Sequence, residues 1–122
     1  MSPNVSPLRV FLVDDEPLAL KRLARLLKAG GRVEVIGSTT DPEAALEVLA
    51  RATIDALFLD IQMPGLNGFE LLGRLKLQPL VVFTTAFDQY ALRAFEVNSI
   101  DYLLKPVEAE QLERAIKQRL GF

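Results

Sequence analysis

The chain has 122 residues and a mass of 13.5 kDa, a size at which one domain buries most of its apolar surface without staples. Half the residues are hydrophobic and a quarter are charged, with seven glycines and seven prolines, which is the profile of an ordinary globular domain and not of a disordered or fibrous one. Cysteine, histidine and tryptophan are absent, which excludes disulfides, Cys/His zinc sites, Ser-His-Asp triads and a cysteine nucleophile. A formal net charge of -2 with the signs interspersed gives no reason to expect nucleic acid or an acidic membrane as a partner of this domain. No apolar run approaches the ~20 residues that span a bilayer, and the first seven residues lack the parts of a signal peptide, so a cytoplasmic location is expected.

In chain order, residues 1–7 read as a flexible leader and 8–122 as a single domain. A first strand is predicted over Leu8 to Val13. A helix follows with Leu20, Leu23, Ala24 and Leu27 on one face, and Gly30-Gly31 is placed to end it. The second strand, Val33 to Ile36, leads through Asp41-Pro42, a capping oxygen followed by a first-turn proline, into a helix with an Ala45, Val48, Leu49, Ala52 stripe. The third strand, Ala56 to Leu59, is followed by an Asn67/Glu70 capping-box pattern and a helix burying Leu71, Leu72 and Leu75. A fourth strand over Leu80 to Phe83, a fourth helix with Ala91, Ala94 and Phe95 inward, a fifth strand over Tyr102 to Leu104 and a last helix with Leu112, Ala115, Ile116 and Leu120 complete the alternation. Near-continuous apolar strands alternating with amphipathic helices indicate an α/β fold around a parallel sheet covered on both faces.

In such a sheet ligands bind beyond the carboxyl ends of the strands. The first strand ends in Asp14-Asp15-Glu16, the third in Asp60, the fourth in Thr84-Thr85-Ala86 and the fifth in Lys105-Pro106. Two like unit charges 4 Å apart cost about 4 kcal/mol at an effective dielectric of 20, so converging aspartates call for positive charge. A hard divalent cation with oxygen ligands fits, with Lys105 as a built-in counter-ion. A carboxylate beside Mg2+, with a hydroxyl and an ammonium opposite, suits nucleophilic attack on phosphorus. Each signal also has a plain structural reading: Asp14 to Glu16 as a helix N-cap region, Asp60 as a loop carboxylate, the threonines as strand formers, Lys105 as a solvated surface group, Tyr102 as core. Their joint appearance at successive strand ends favours a site.

The strings Leu12-Val-Asp-Asp-Glu16, Leu59-Asp-Ile-Gln-Met-Pro-Gly65, Thr84-Thr-Ala86 and Leu104-Lys-Pro106 together resemble the receiver domain of two-component response regulators, over nearly the whole chain. The segment Phe95-Glu-Val-Asn-Ser-Ile-Asp-Tyr-Leu-Leu-Lys-Pro106 is similar to regulators with a LytTR-type (LytR/AlgR-like) DNA-binding output domain. The resemblance implies a flavodoxin-like, CheY-like doubly wound sheet of order 2-1-3-4-5 with five helices. It implies Asp60 as the phosphoacceptor from a sensor histidine kinase, and a Mg2+ cofactor held by Asp15, Asp60 and the main-chain carbonyl of Gln62, with Asp14 acting largely through water. Thr85, chosen over Thr84 because Ala86 follows it, and Lys105 would contact the phosphoryl oxygens. Tyr102 would be the switch aromatic coupled to Thr85, and the Lys105-Pro106 peptide would be cis. Pro64-Gly65 suits a type II turn.

The leading expectation is therefore a phosphorylation-controlled switch, self-phosphorylating from a small phosphodonor and autodephosphorylating without being a turnover enzyme. Its output would be transcription through a DNA-binding domain absent from this chain. Phe87, Tyr90, Leu92, Phe95 and Val97 give the fourth-helix region more bulk than one buried stripe easily hides, an excess that fits either core or a dimer surface; the resemblance implies a partner face made by the fourth helix, fifth strand and fifth helix, and a homodimer through it is the expectation. Competing readings are a small aspartyl-phosphate phosphatase or phosphotransferase, a degenerate receiver serving as an interaction module, and a flavodoxin-like FMN carrier. The enzyme reading lacks a second acid two residues after Asp60, where Gln62 stands. The FMN reading lacks a phosphate loop after the first strand.

Overall fold

Parallel pairing of the apolar runs builds one five-stranded sheet of order β2-β1-β3-β4-β5. The computed structural model describes residues 6–87 and 101–119. Its strands are β1 (Leu8–Val13), β2 (Val33–Thr39), β3 (Ala56–Asp60), β4 (Leu80–Thr85) and β5 (Asp101–Leu104), and its helices α1 (Pro17–Gly30), α2 (Pro42–Arg51), α3 (Gly68–Gly73) and α4 (Ala109–Arg114), the last continuing as a π-helical turn over Ala115–Arg119. Strand order and class agree with expectation. The fourth predicted helix, with Tyr90 to Val97, lies outside the described residues, as do residues 1–5 of the leader and Leu120. Phe87, counted with that helix in the sequence, stands in the loop directly after β4.

The sheet is covered on both faces because successive side chains on each strand alternate between two cores. Val10, Leu12, Ala56, Phe58 and Val82 face Leu20, Leu23 and Leu27 of α1 and Leu112 of α4, with Ile116 just beyond it. Phe11, Val13, Leu57, Leu59 and Phe83 face Ala45 of α2 and Phe69, Leu71 and Leu72 of α3. Burying side chains on this scale, at roughly 25 cal/mol per Å2 of apolar surface, is the dominant favourable contribution to folding.

Local signals set the helix ends. Gly31 closes α1 with φ 74°, a left-handed conformation that glycine adopts without penalty. Asp41 caps α2 by accepting from the Glu43 amide, with Pro42 at the first helical position. Asn67 and Glu70 form a full reciprocal capping box on α3. Two details depart from the periodicity. In α2 Leu46 packs inward with Leu49 while Val48 is exposed, so the inward stripe runs through Ala45, Leu46 and Leu49. Strands β2, β3 and β4 run on past the apolar runs, to Thr39, Asp60 and Thr85, since ladder hydrogen bonds do not depend on side-chain polarity. Asp60 and both threonines are thus held as strand residues.

Candidate acidic site at the carboxyl edge of the sheet

Because every strand points the same way, Asp14, Asp60, Thr85 and Lys105 arrive at one edge from β1, β3, β4 and β5, each at or directly beyond its strand's last residue. The central strands β1 and β3 are adjacent, so Asp14 and Asp15 lie beside Asp60. One carboxylate oxygen from each of Asp14, Asp15 and Asp60 lies within 4.8 Å of the others. Asp14 and Asp60 are 3% exposed, so their charges cannot be screened by water as surface carboxylates are.

The Lys105 ammonium enters this cluster and touches three acids, with Nζ 2.7 Å from Asp14, 3.1 Å from Glu16 and 3.4 Å from Asp60. Its main chain is tied to the neighbouring strand, the Lys105 amide donating to the Thr85 carbonyl at 2.7 Å, and the Lys105-Pro106 peptide is cis, as expected. Burial pulls the Lys105 pKa down, but its hydrogen bond to Asp14 and the charges of Asp60 and Asp14 outweigh that and hold it above the ordinary lysine value. Asp60 moves upward as well, from 3.8 to about 7. Burial is the main cause and the Asp14 charge the next, opposed by Lys105 and reinforced by Asp15, which shares a hydrogen bond with it. One ammonium therefore does not neutralise three aspartates. Removing it should make matters worse: Lys105→Met is expected to lose about 2–3 kcal/mol at pH 8, less than the full penalty of breaking a buried pair because the lysine reaches solvent. Urea unfolding at pH 8 and pH 5 checks this, with the smaller loss expected at pH 5, where Asp60 is already protonated.

A cavity of about 250 Å3 opens over Asp60, bordered by Asp15, Gln62, Thr85, Phe87 and Lys105. Of the tandem threonines it is Thr85 that borders this cavity, while Thr84 borders a separate one beside α1. The Thr85 hydroxyl accepts from the Phe87 amide at 3.2 Å, and the Tyr102 hydroxyl donates to the Phe87 carbonyl. Threonine and tyrosine thus meet at the loop that leaves β4. Below Asp60, Gly65 takes φ 82° after Pro64, and the chain returns so that the Gly68 amide donates to the Ile61 carbonyl at 2.8 Å.

The structure therefore brings together Asp14, Asp15, Asp60, Gln62, Thr85 and Lys105, with Tyr102 one loop away. Two roles are not legible in the sequence. Glu16 leaves α1 uncapped and turns its carboxylate to Lys105 instead. Gly68 is needed for close approach, since a Cβ there would stand 2.7 Å from the Asp60 carbonyl oxygen and 3.1 Å from the Ile61 Cα. Backbone cannot give way as a flexible side chain can, so Gly68→Ala should cost about 2–3 kcal/mol, in the range of overpacked cores. Thermal unfolding checks it, and an unchanged melting temperature would contradict the tight fit.

The donor set is all oxygen and anionic, which suits a hard divalent cation such as Mg2+ and disfavours soft metals. Three carboxylate oxygens within 4.8 Å are close enough for one or two to share an ion with waters. No helix among the described residues is long and apolar enough to cross a membrane.

Comparison with known proteins agrees with this geometry. Residues 10–117 match the family model described as "Response regulator receiver domain". The chain is 46% identical over 114 residues to the sensory transduction protein LytT of Bacillus cereus, covering 91% of this chain and 46% of that protein. It is 43% identical over 111 residues to the transcriptional regulatory protein BtsR of Salmonella typhi, covering 89% and 46%. The chain thus spans about half the length of the curated relatives it matches. Among solved structures, the response regulatory domain of protein mrkE from Klebsiella pneumoniae superposes with a TM-score of 0.84 at 32% identity, covering 93% of this chain and 96% of that one. Fold, strand-end residues and sequence similarity agree, and the chain belongs to the response regulator receiver family.

Proposed function

We propose that this receiver is switched by phosphorylation of Asp60. The observation that carries the reading is the meeting of three carboxylates within 4.8 Å with one ammonium, 2.7 Å from Asp14 and 3.4 Å from Asp60, beside a cavity open to a donor. An Asp60 oxygen attacks the phosphorus of a sensor kinase's phosphohistidine. The phosphorus–nitrogen bond breaks, and its electron pair returns to the imidazole, which then takes a proton. Lys105 shifts from Asp14 toward the phosphoryl oxygens and the Thr85 hydroxyl, which accepts from the Phe87 amide, donates a hydrogen bond to another of them, drawing the loop after β4 with it. Asp14, Asp15, Asp60 and the Gln62 carbonyl would hold Mg2+, which supplies the positive charge that lets a phosphoryl group enter a cluster of acids.

The Thr85–Phe87–Tyr102 chain is the route by which that shift reaches the β4–β5 side of the domain, a population shift between two arrangements. The output would be transcription through a LytTR-type DNA-binding domain, a reading supported by relatives named as sensory transduction and transcriptional regulatory proteins. The chain acts as a cytoplasmic switch, phosphorylated and dephosphorylated on itself, and turns over no substrate. The expected homodimer surface rests mainly on residues outside those described. Exposure to acetyl phosphate with Mg2+ followed by intact mass measurement tests the reading. One phosphoryl adduct removed by hydroxylamine is expected, whereas an adduct that resists hydroxylamine would identify a hydroxyl ester and reject Asp60.

A further inference from the structure

Lys105 is carried on the short stretch that joins the edge strand β5 to α4. Before it the chain is fixed to β4 through the Lys105 amide and the Thr85 carbonyl. After it comes Pro106, which has no amide hydrogen to offer. Beyond it, besides the burial of the Val107 side chain, the main chain is held by a residue far away in the sequence: Arg22 of α1 donates from Nη2 to the Val107 carbonyl at 3.0 Å, across 85 positions. Between α1 and this stretch lies a cavity of about 320 Å3, bordered by Ala19, Arg22 and Leu23 on one side and Lys105, Pro106 and Val107 on the other. The Val107 side chain packs in the core cluster that holds Leu20 and Leu23, and the guanidinium bond adds a polar restraint on its main chain across the cavity. The nearby Glu108 carboxylate is 4.0 Å from Arg22 and both side chains are substantially exposed, so that ion pair adds little. A hydrogen bond from a charged donor to a main-chain carbonyl is the stronger restraint.

We infer that Arg22 is a positioning residue for Lys105: by holding the Val107 carbonyl it fixes the main chain two residues beyond the lysine, and with it the path of the ammonium toward Asp60. The inference rests on the reading that Lys105 contacts a phosphoryl group on Asp60. A lysine free to leave the cluster with its loop would meet that group less often, and small misplacements are costly in phosphoryl transfer because positioning supplies much of the rate.

The test compares initial rates of phosphorylation by acetyl phosphate with Mg2+ in the wild type, Arg22→Met, Lys105→Met and the double variant, all below their melting temperatures. Methionine keeps much of the apolar stem and removes the donor. Arg22→Met is expected to slow phosphorylation about tenfold in the wild-type background and to have no further effect once Lys105 is methionine, while Arg22→Lys, which keeps a cationic donor, recovers part of the rate. Equal slowing in both backgrounds, or none in the first, would overturn the inference. A second measurement does not depend on phosphorylation. Relaxation of the Lys105 15Nζ and 13Cε signals in the metal-free protein should report greater side-chain mobility in Arg22→Met, and in Arg22→Gln if the methionine variant does not fold. Unchanged mobility would overturn the inference even with Asp60 phosphorylated normally. A wild type that takes no phosphoryl group while its Lys105 is loosened by the variant would instead reject the proposed function.

Discussion

Chelating magnesium should slow phosphoryl uptake by Asp60 from acetyl phosphate at least about 100-fold. The reason is electrostatic. Asp14, Asp15 and Asp60 offer oxygens within 4.8 Å of one another, and Lys105, already in contact with Asp14, Glu16 and Asp60, is the only cation touching them among the described residues. An incoming phosphoryl group adds negative charge to that cluster. Each like-charge pair at 4 Å costs about 4 kcal/mol at an effective dielectric of 20, and about 2.7 kcal/mol of barrier is already a hundredfold in rate. Initial rates by intact mass across a titration of EDTA against Mg2+ measure the effect. Asp60→Asn should take up no adduct under any condition, and Asp15→Asn should need more Mg2+ to reach its maximal rate. A rate indifferent to chelation would mean that Lys105 alone neutralises the site.

Asp60→Asn should stabilise the metal-free protein at pH 8 and leave it nearly unchanged at pH 4. Asp60 has a folded-state pKa of about 7 against an ordinary 3.8, raised chiefly by burial. An acid whose pKa is higher folded than unfolded binds more protons in the native state between those values, so native stability falls as pH rises through that window and is level outside it. The whole displacement corresponds to about 4 kcal/mol. Asparagine has the same shape and no charge to bury, so the variant escapes the loss. For a domain of this size a loss of that order corresponds to a gap of roughly 10–15 °C in melting temperature at pH 8. It should narrow on adding Mg2+, because an ion at 100 times its Kd stabilises the wild type by about 2.7 kcal/mol. Melting curves of both proteins at pH 4, 6 and 8 decide it, and a gap that does not widen with pH would show that Asp60 is not strained by ionisation.

What the amino-acid sequence shows follows from the physics of local order. Apolar runs of strand length alternating with helical stripes specify an α/β domain, since each residue's preference depends on its immediate neighbours. Caps at Asp41 and Asn67 and the left-handed Gly31 act within one turn of chain and were equally legible. The acidic site was legible for a topological reason: in a parallel sheet all strands end at the same edge, so Asp14, Asp60, Thr85 and Lys105, each following an apolar run, had to come near one another.

Contacts between elements carry no such periodic signature. Nothing in the order of residues shows that Val48 faces solvent while Leu46 packs, because which side of α2 meets the sheet is set by the whole interface. The following Ala86 favours Thr85 over Thr84, and the face of β4 that turns toward the cavity is what sets Thr85 beside Asp60. The turn of Glu16 toward Lys105, the backbone beneath Asp60 that only Gly68 admits and the reach of Arg22 to Val107 each join chain segments far apart in sequence. The amino-acid sequence by itself determined the fold class and the chemical groups at the strand ends, because both arise from local pattern and common strand direction. Tertiary structure alone decided the distances among those groups, and with them how strongly Asp60 resists ionisation and how Lys105 is held.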